Sequence, residues 1–112
     1  MSKFDEAIEK YVAEAKRLKL DLSTELLTAV AKGLGPSIYK ADAELVSGGD
    51  QAELDRVKQN FLIKKLGLKD SAELDKAIHE VVETLGTSNR NKYRALFYAL
   101  LVKKFKKESA YK

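Results

Sequence analysis

The chain's only histidine, His79, has Asp75 four residues before it and Glu83 four residues after it. On a helix the three share one strip, and a histidine with two carboxylates is an acceptable donor set for a divalent metal or for acid–base work. The spacing argues against that chemistry. Each step of four residues rises about 6 Å, so three side chains in a row on one straight helix do not converge on one ion. The strip reads as a solvated flank where carboxylates support a histidine, and it implies no metal and no cofactor. The absence of cysteine excludes thiolate nucleophiles, zinc–thiolate sites and disulfides. No serine sits in a Gly-x-Ser-x-Gly elbow, and any triad would depend on His79 alone. Gly33-Leu34-Gly35-Pro36 has the glycines of a phosphate loop. It lacks the preceding strand and the following Lys-Ser/Thr pair, and Pro36 removes an amide donor. It reads as a helix stop followed by a new start. An enzyme has the least support of the function classes.

Binding chemistry has more. Residues 1–89 carry 13 Lys and Arg against 16 Asp and Glu, a net of −3; residues 90–112 carry 8 against 1, a net of +7. The basic residues form two clusters, Arg90, Lys92 and Arg94, then Lys103, Lys104, Lys106 and Lys107. About 13 residues of helix, roughly 20 Å, separate them. Tyr93, Tyr98, Phe105 and Tyr111 are interleaved. Such clusters can track a phosphate backbone while aromatics stack on bases. The plainer reading is that lysines at a helix C-terminus complement its dipole and that the aromatics are core. Lys58 and Lys65 are a separate oddity. At 100° per residue from Leu54, both fall inside the apolar arc of Leu54, Val57 and Phe61. They are either lysines set to meet an anion or lysines that bury their methylenes and snorkel the ammonium outward.

The elements that would position these groups are helices. One proline and six glycines in 112 residues leave little of the punctuation of a turn-rich β fold. Phe4, Ala7, Ile8, Tyr11, Val12, Ala15 and Leu18 form one apolar stripe and predict a helix over residues 2–18, with Ser2 or Lys3 at its start. Ser23 is a good N-cap for a second, with Leu22 and Leu27 placed as a hydrophobic staple, ending at Gly33 and Gly35. Ile38, Tyr39, Ala41, Leu45 and Val46 show no clean period; one short helix and an irregular stretch ending at Ser47-Gly48-Gly49 are expected. Asp50-Gln51-Ala52-Glu53-Leu54-Asp55-Arg56 is echoed by Asp70-Ser71-Ala72-Glu73-Leu74-Asp75-Lys76. Each has Asp with Glu three residues on, a capping-box arrangement, and each leads to a Leu-Gly stop, at Gly67 and Gly86. The echo means either a duplicated unit or shared capping grammar. A last helix is expected from Ser88 or Asn89 to Phe105. It is apolar around most of its circumference, the mark of a helix buried among others. Leu96, Phe97, Leu100 and Leu101 should be buried with Phe61 and Ile78.

The expected fold is therefore all-α: five or six helices in one domain over residues 1–112, with the C-terminal helix at the centre. That length supports a real core, and an apolar content of 45% with a net charge of +4 is not that of a disordered chain. The longest run without a charged break, residues 95–102, is far short of the roughly 20 residues that span a membrane. The N-terminus has no signal-peptide core and the C-terminus no lipidation pattern. A cytoplasmic protein is expected, with no membrane partner.

GLGPSIY at residues 33–39, NFLIKKLGL at 60–68 and SNRNKYRA at 88–95 resemble a family of small bacterial proteins that is a domain of unknown function. The resemblance covers nearly the whole chain. It implies a small all-helical cytoplasmic protein and brings no activity, cofactor or catalytic residue. The functional expectation is a non-enzymatic binding or interaction module for an anionic partner, a nucleic acid or another polyanion held weakly, through Arg90, Lys92, Arg94, Lys103, Lys104, Lys106 and Lys107. The alternative is a structural or self-associating protein with a protein partner.

Overall fold

The computed structural model describes residues 2–40 and 43–111; the expectation for Ala41 lies outside the described residues. The fold is all-α, with helices α1 (Lys3–Arg17), α2 (Thr24–Leu34), α3 (Gln51–Val57), α4 (Ala72–Leu85) and α5 (Arg94–Lys104). A 3-10 turn, Gly35–Tyr39, follows α2; a π-turn, Lys58–Ile63, extends α3; a second 3-10 turn, Glu108–Tyr111, follows α5. No strand occurs among the described residues, only an isolated antiparallel bridge between Leu45 and Tyr93.

Caps fix the first two helices as expected. Ser2 accepts from the Asp5 amide and Ser23 from the Leu26 amide, each at 3.1 Å. Both α1 and α5 end in a Schellman turn whose left-handed residue is a lysine, Lys19 and Lys106, with the Leu20 amide returning to Ala15 O and the Lys107 amide to Val102 O. The latter reversal sends residues 108–111 back across α2, where the Tyr111 ring lies against Gly33. At the end of α2 the stop is Gly35, with φ at 64°, while Gly33 is still helical.

The two Asp-initiated repeats diverge. Asp50 caps α3, accepting from the Ala52 and Glu53 amides at 3.0 and 3.4 Å. The expected reciprocal bond is not made, because the Asp50 amide donates to Ser47 O and the Glu53 carboxylate is turned onto Arg56 and Arg94. Asp70 does not cap α4 at all. The N-cap is Ser71, without a side-chain bond, and the Asp70 carboxylate pairs instead with Lys58 at 2.9 Å. The shared spelling thus serves a cap in one copy and an ion pair back to Lys58 in the other.

The π-turn corrects the reading of Lys65. Its i→i−5 bonds, Lys64 N to Gln59 O and Leu66 N to Phe61 O, insert one residue into the helical phase, a rotation of about 100°. Lys65 thereby leaves the apolar arc and is exposed, and Leu66 enters it and is buried. Lys58, before the turn takes effect, keeps its inward position. Its stem is packed and its ammonium reaches Asp70, just before α4, and Asp75 on α4; the hydrogen bond to Asp70 raises its pKa.

Helix α5 is the central helix. Ala95, Leu96, Phe97, Tyr98, Ala99, Leu101 and Val102 are buried, and the helix packs against α1, α2 and α4. Phe61 and Ile78 are buried as expected. Leu100 is not: it lies at the rim, only partly covered. The helix also starts later than expected, at Arg94. Asn89 uses its amide group to hold Leu85 O at the end of α4 and its oxygen to accept from the Asn91 amide. Residues 92–94 run extended against residues 44–46, with Val46 N to Lys92 O and Arg94 N to Glu44 O both at 2.8 Å. Tyr11 of α1 is closed off against Tyr93, ring centroids 5.4 Å apart, and burial pushes its hydroxyl up to about 12.

Two sets of substitutions test this account. Leu101→Ala should cost about 2–5 kcal/mol in urea unfolding, and Leu100→Ala distinctly less; equal losses would contradict the placement of the α5 rim. Asp50→Ala should lose about 0.5–2 kcal/mol as a lost cap. Asp70→Ala should lose under about 1 kcal/mol, since its carboxylate is exposed in an ion pair.

Candidate anion-binding cleft

The fold treats the seven basic residues of the two clusters differently. Lys103 is held by Asp21, whose carboxylate lies at 3.1 Å and whose backbone carbonyl lies at 2.9 Å. Lys104 pairs with Glu80 on α4 at 3.0 Å. Arg94 faces inward: it donates to Ala43 O at 2.8 Å, Tyr98 Oη at 3.1 Å and the Glu53 carboxylate. Its side chain is 15% exposed and that of Glu53 12%. Burial pulls the Arg94 pKa down, but the Glu53 hydrogen bond and Tyr98 leave it net above its ordinary value. Lys106 and Lys107, in the turn after α5, have no ion pair among the described residues.

Arg90 and Lys92 are brought together with a different partner, the loop of residues 45–49. The bridge between Leu45 and Tyr93 and the Val46–Lys92 bond hold that loop against residues 87–92. Between them lies a cleft of about 630 Å³, within the range of small-ligand sites. Ser47, Gly48 and Gly49 line one wall; Thr87, Ser88, Asn89 and Arg90 line the other. Lys92 belongs to the lining and is only 4% exposed. Its ammonium donates to Thr87 O at 3.4 Å and to Asn89 O, so carbonyl dipoles hold it. No carboxylate pairs with it among the described residues, and none lines the cleft. Arg90 stands exposed at the edge.

Gly48 makes the close approach here. A Cβ at this position would meet Val82 Cγ1 and Lys92 Cε at 3.1 Å, so a larger residue would need those two side chains to shift by a few tenths of an ångström.

The histidine strip is not assembled into a site. His79 and Glu83 are exposed and Asp75 is engaged by Lys58. Among the described residues no group of three or more His, Cys, Asp or Glu is placed to hold a metal. No helix among them is long and apolar enough to cross a membrane. The loop of residues 45–49 was invisible as a functional element in the sequence. Its Ser-Gly-Gly reads as a helix break, and only the long-range pairing with residues 92–94 makes it a wall.

Residues 7–109 match the model of a family described as protein of unknown function (DUF2853). The chain belongs to this family. No curated protein matches the chain. The three stretches that carry the resemblance all fall within the matched span, and in space they do different work. Residues 33–39 end α2 and residues 60–68 make the π-turn and its exit. Residues 88–95 supply one wall of the cleft together with the Arg94 hub.

The hub is testable. Glu53→Gln keeps the shape and leaves the guanidinium without its counter-charge. At this degree of burial the loss should be roughly 3 kcal/mol, the low end for breaking a buried pair. A double variant with Arg94→Met should recover part of it in urea unfolding. A loss under about 1 kcal/mol would show that the pair is dispensable.

Proposed function

We propose that this chain is a non-enzymatic binding module for an anionic partner, acting as one domain in the cytoplasm, with the cleft between residues 45–49 and 87–92 as its docking point. One observation carries the reading: a lysine buried to 4% exposure lines a cleft whose walls hold no carboxylate. The ammonium is satisfied by carbonyl dipoles and by no carboxylate, so its charge is compensated only in part and net positive charge is left beside the cleft. Arg90 adds a planar fork at the mouth. At the far end of α5 the situation differs: Lys103 and Lys104 are already paired, which leaves Lys106 and Lys107 as a small, solvated supplement. The charge-rich, cysteine-free composition supports the cytoplasm as compartment.

The alternative of a self-associating protein has less support. Tyr39, at 47%, is the one exposed large apolar side chain among the described residues, so no broad apolar face is offered to a second copy.

The test is amide NMR of the labelled protein titrated with inorganic phosphate and with a single-stranded oligonucleotide, at about 50 and 200 mM salt. The amides of Gly48, Gly49 and Ser88 should move with at least one of these anions. The response should weaken at higher salt and in Arg90→Gln, and stay the same in Lys106→Gln with Lys107→Gln. No response to either anion, or shifts indifferent to Arg90, would overturn the reading.

A further inference from the structure

The lining of the cleft is specific about what an anion's carrier must be. Besides Arg90 and Lys92 its lining includes three hydroxyl residues, Ser47 on one wall, next to Leu45 and Val46, and Thr87 and Ser88 on the other. None of these hydroxyls is hydrogen-bonded to protein among the described residues, and neither are the amides of Gly48 and Gly49. Asn89 is already committed to Leu85 O and the Asn91 amide. Aromatic surface is missing from both walls. The nearest candidate in sequence, Tyr93, is turned to the other side of its strand-like segment, against Tyr11 and beneath the Lys10 ammonium.

This combination separates ligand classes. A nucleotide or an exposed nucleic-acid base gains much of its affinity from stacking, worth roughly 1–3 kcal/mol per base, and the cleft has no aromatic face to stack on, only the Arg90 guanidinium at its mouth. A bare phosphate would use the cations and the Gly48 and Gly49 amides but leave the hydroxyls to water. A phosphate ester whose carrier bears hydroxyls would use both sets, because hydroxyl groups donate and accept in turn and meet serine and threonine on equal terms. Two walls, each carrying a hydroxyl, suit a carrier with hydroxyls on opposite edges. The volume of about 630 Å³ accommodates a phosphorylated sugar.

Resting on the anion-binding reading of this cleft, we infer that it takes a phosphorylated sugar or polyol, with the phosphate toward Arg90 and Lys92 and the carrier's hydroxyls between Ser47 and the Thr87–Ser88 pair, and that it makes no use of a nucleobase. Lys92 supplies charge from behind while its carbonyl bonds hold it in place, and Arg90 closes on the phosphate from solvent. The recognised carrier chemistry is neutral and hydroxylated.

Ribose 5-phosphate, adenosine monophosphate, inorganic phosphate and ribose form the matched set of probes, each titrated into the full-length labelled protein. Ribose 5-phosphate should shift the amides of Gly48, Gly49 and Ser88 saturably and bind about tenfold more tightly than inorganic phosphate, as two or so added neutral hydrogen bonds would give. Adenosine monophosphate should bind within about twofold of ribose 5-phosphate, and ribose alone should give no saturable shift. Arg90→Gln, at an exposed position that leaves the melting temperature unchanged, should weaken ribose 5-phosphate about tenfold. Ser88→Ala should erode its advantage over inorganic phosphate without changing inorganic phosphate itself. Adenosine monophosphate binding tenfold or more tightly than ribose 5-phosphate would overturn the inference by showing that a base is read. If inorganic phosphate binds in an Arg90-dependent way and ribose 5-phosphate is no tighter, the inference falls while the anion-binding reading stands. If no anion shifts the cleft amides, both fall together.

Discussion

Arg94 is the constraint on which the rest of the fold depends. Its guanidinium gathers groups that are far apart in sequence: the carbonyls of residues 43 and 45, the Glu53 carboxylate of α3 and the Tyr98 hydroxyl of α5 itself. A planar fork with five donors is the one side chain that can meet so many acceptors at fixed angles. Tyr98 passes the constraint on by stacking against Phe61, ring centroids 3.9 Å apart, so the π-turn is packed on the same hub. Among its described residues after the 3-10 turn, the connection between α2 and α3 has little regular structure, and Arg94 does for residues 43–45 what a sheet or helix would do elsewhere.

That hub explains which parts of the fold could be read from the sequence. Periodicities of three and four place α1, α2 and α4, because each buries one stripe against a neighbour and the stripe is written locally. The all-round apolar character of residues 95–102 likewise announces a central helix. The start of α5 was not legible. Ser88 and Asn89 are good N-cap types, but Asn89 is recruited to close the preceding helix and residues 92–94 are drawn into long-range pairing. Local preference and tertiary demand pull those residues in different directions, and the tertiary demand wins. The same applies to Asp70, whose spelling is that of a cap and whose carboxylate answers to a lysine 12 residues earlier. Lys65 was misplaced for a third reason: a fixed 100° step holds only while the helix stays α, and the π-turn resets the phase between Leu54 and Leu66.

The charge asymmetry was legible as a number but not as a surface. A net of +7 in the last 23 residues suggests a basic helix. In space much of it is spent within the molecule. Asp21, Glu53 and Glu80, all from the acidic part of the chain, take up Lys103, Arg94 and Lys104. Such pairs add little stability when exposed, yet they take Arg94, Lys103 and Lys104 out of the set of unpaired cations. What escapes neutralisation is divided between the turn after α5 and the cleft. In the cleft the positive groups are joined by hydroxyls and free amides, so the same loss of long-range field leaves a local site of greater chemical definition.

The walls of the cleft are tied to the core on both sides. One of its walls is the segment that leads directly into Arg94, and the other is the loop whose carbonyls Arg94 holds. Gly48 lets that loop settle onto Val82 of α4 and the Lys92 stem with no space to spare, and Lys92 ties the opposite wall to itself through Thr87 and Asn89 carbonyls. Both walls are therefore anchored to the core before any ligand arrives. Ordering two free loops around a small anion would cost most of what a few hydrogen bonds return. Here the contacts that order both walls are made within the fold, so the binding reading proposed above does not have to supply that cost. The residues that make the fold and the residues that line the cleft are consecutive, so the contacts that hold Arg94 and Lys92 in the core also set the shape of a polar cleft at the surface.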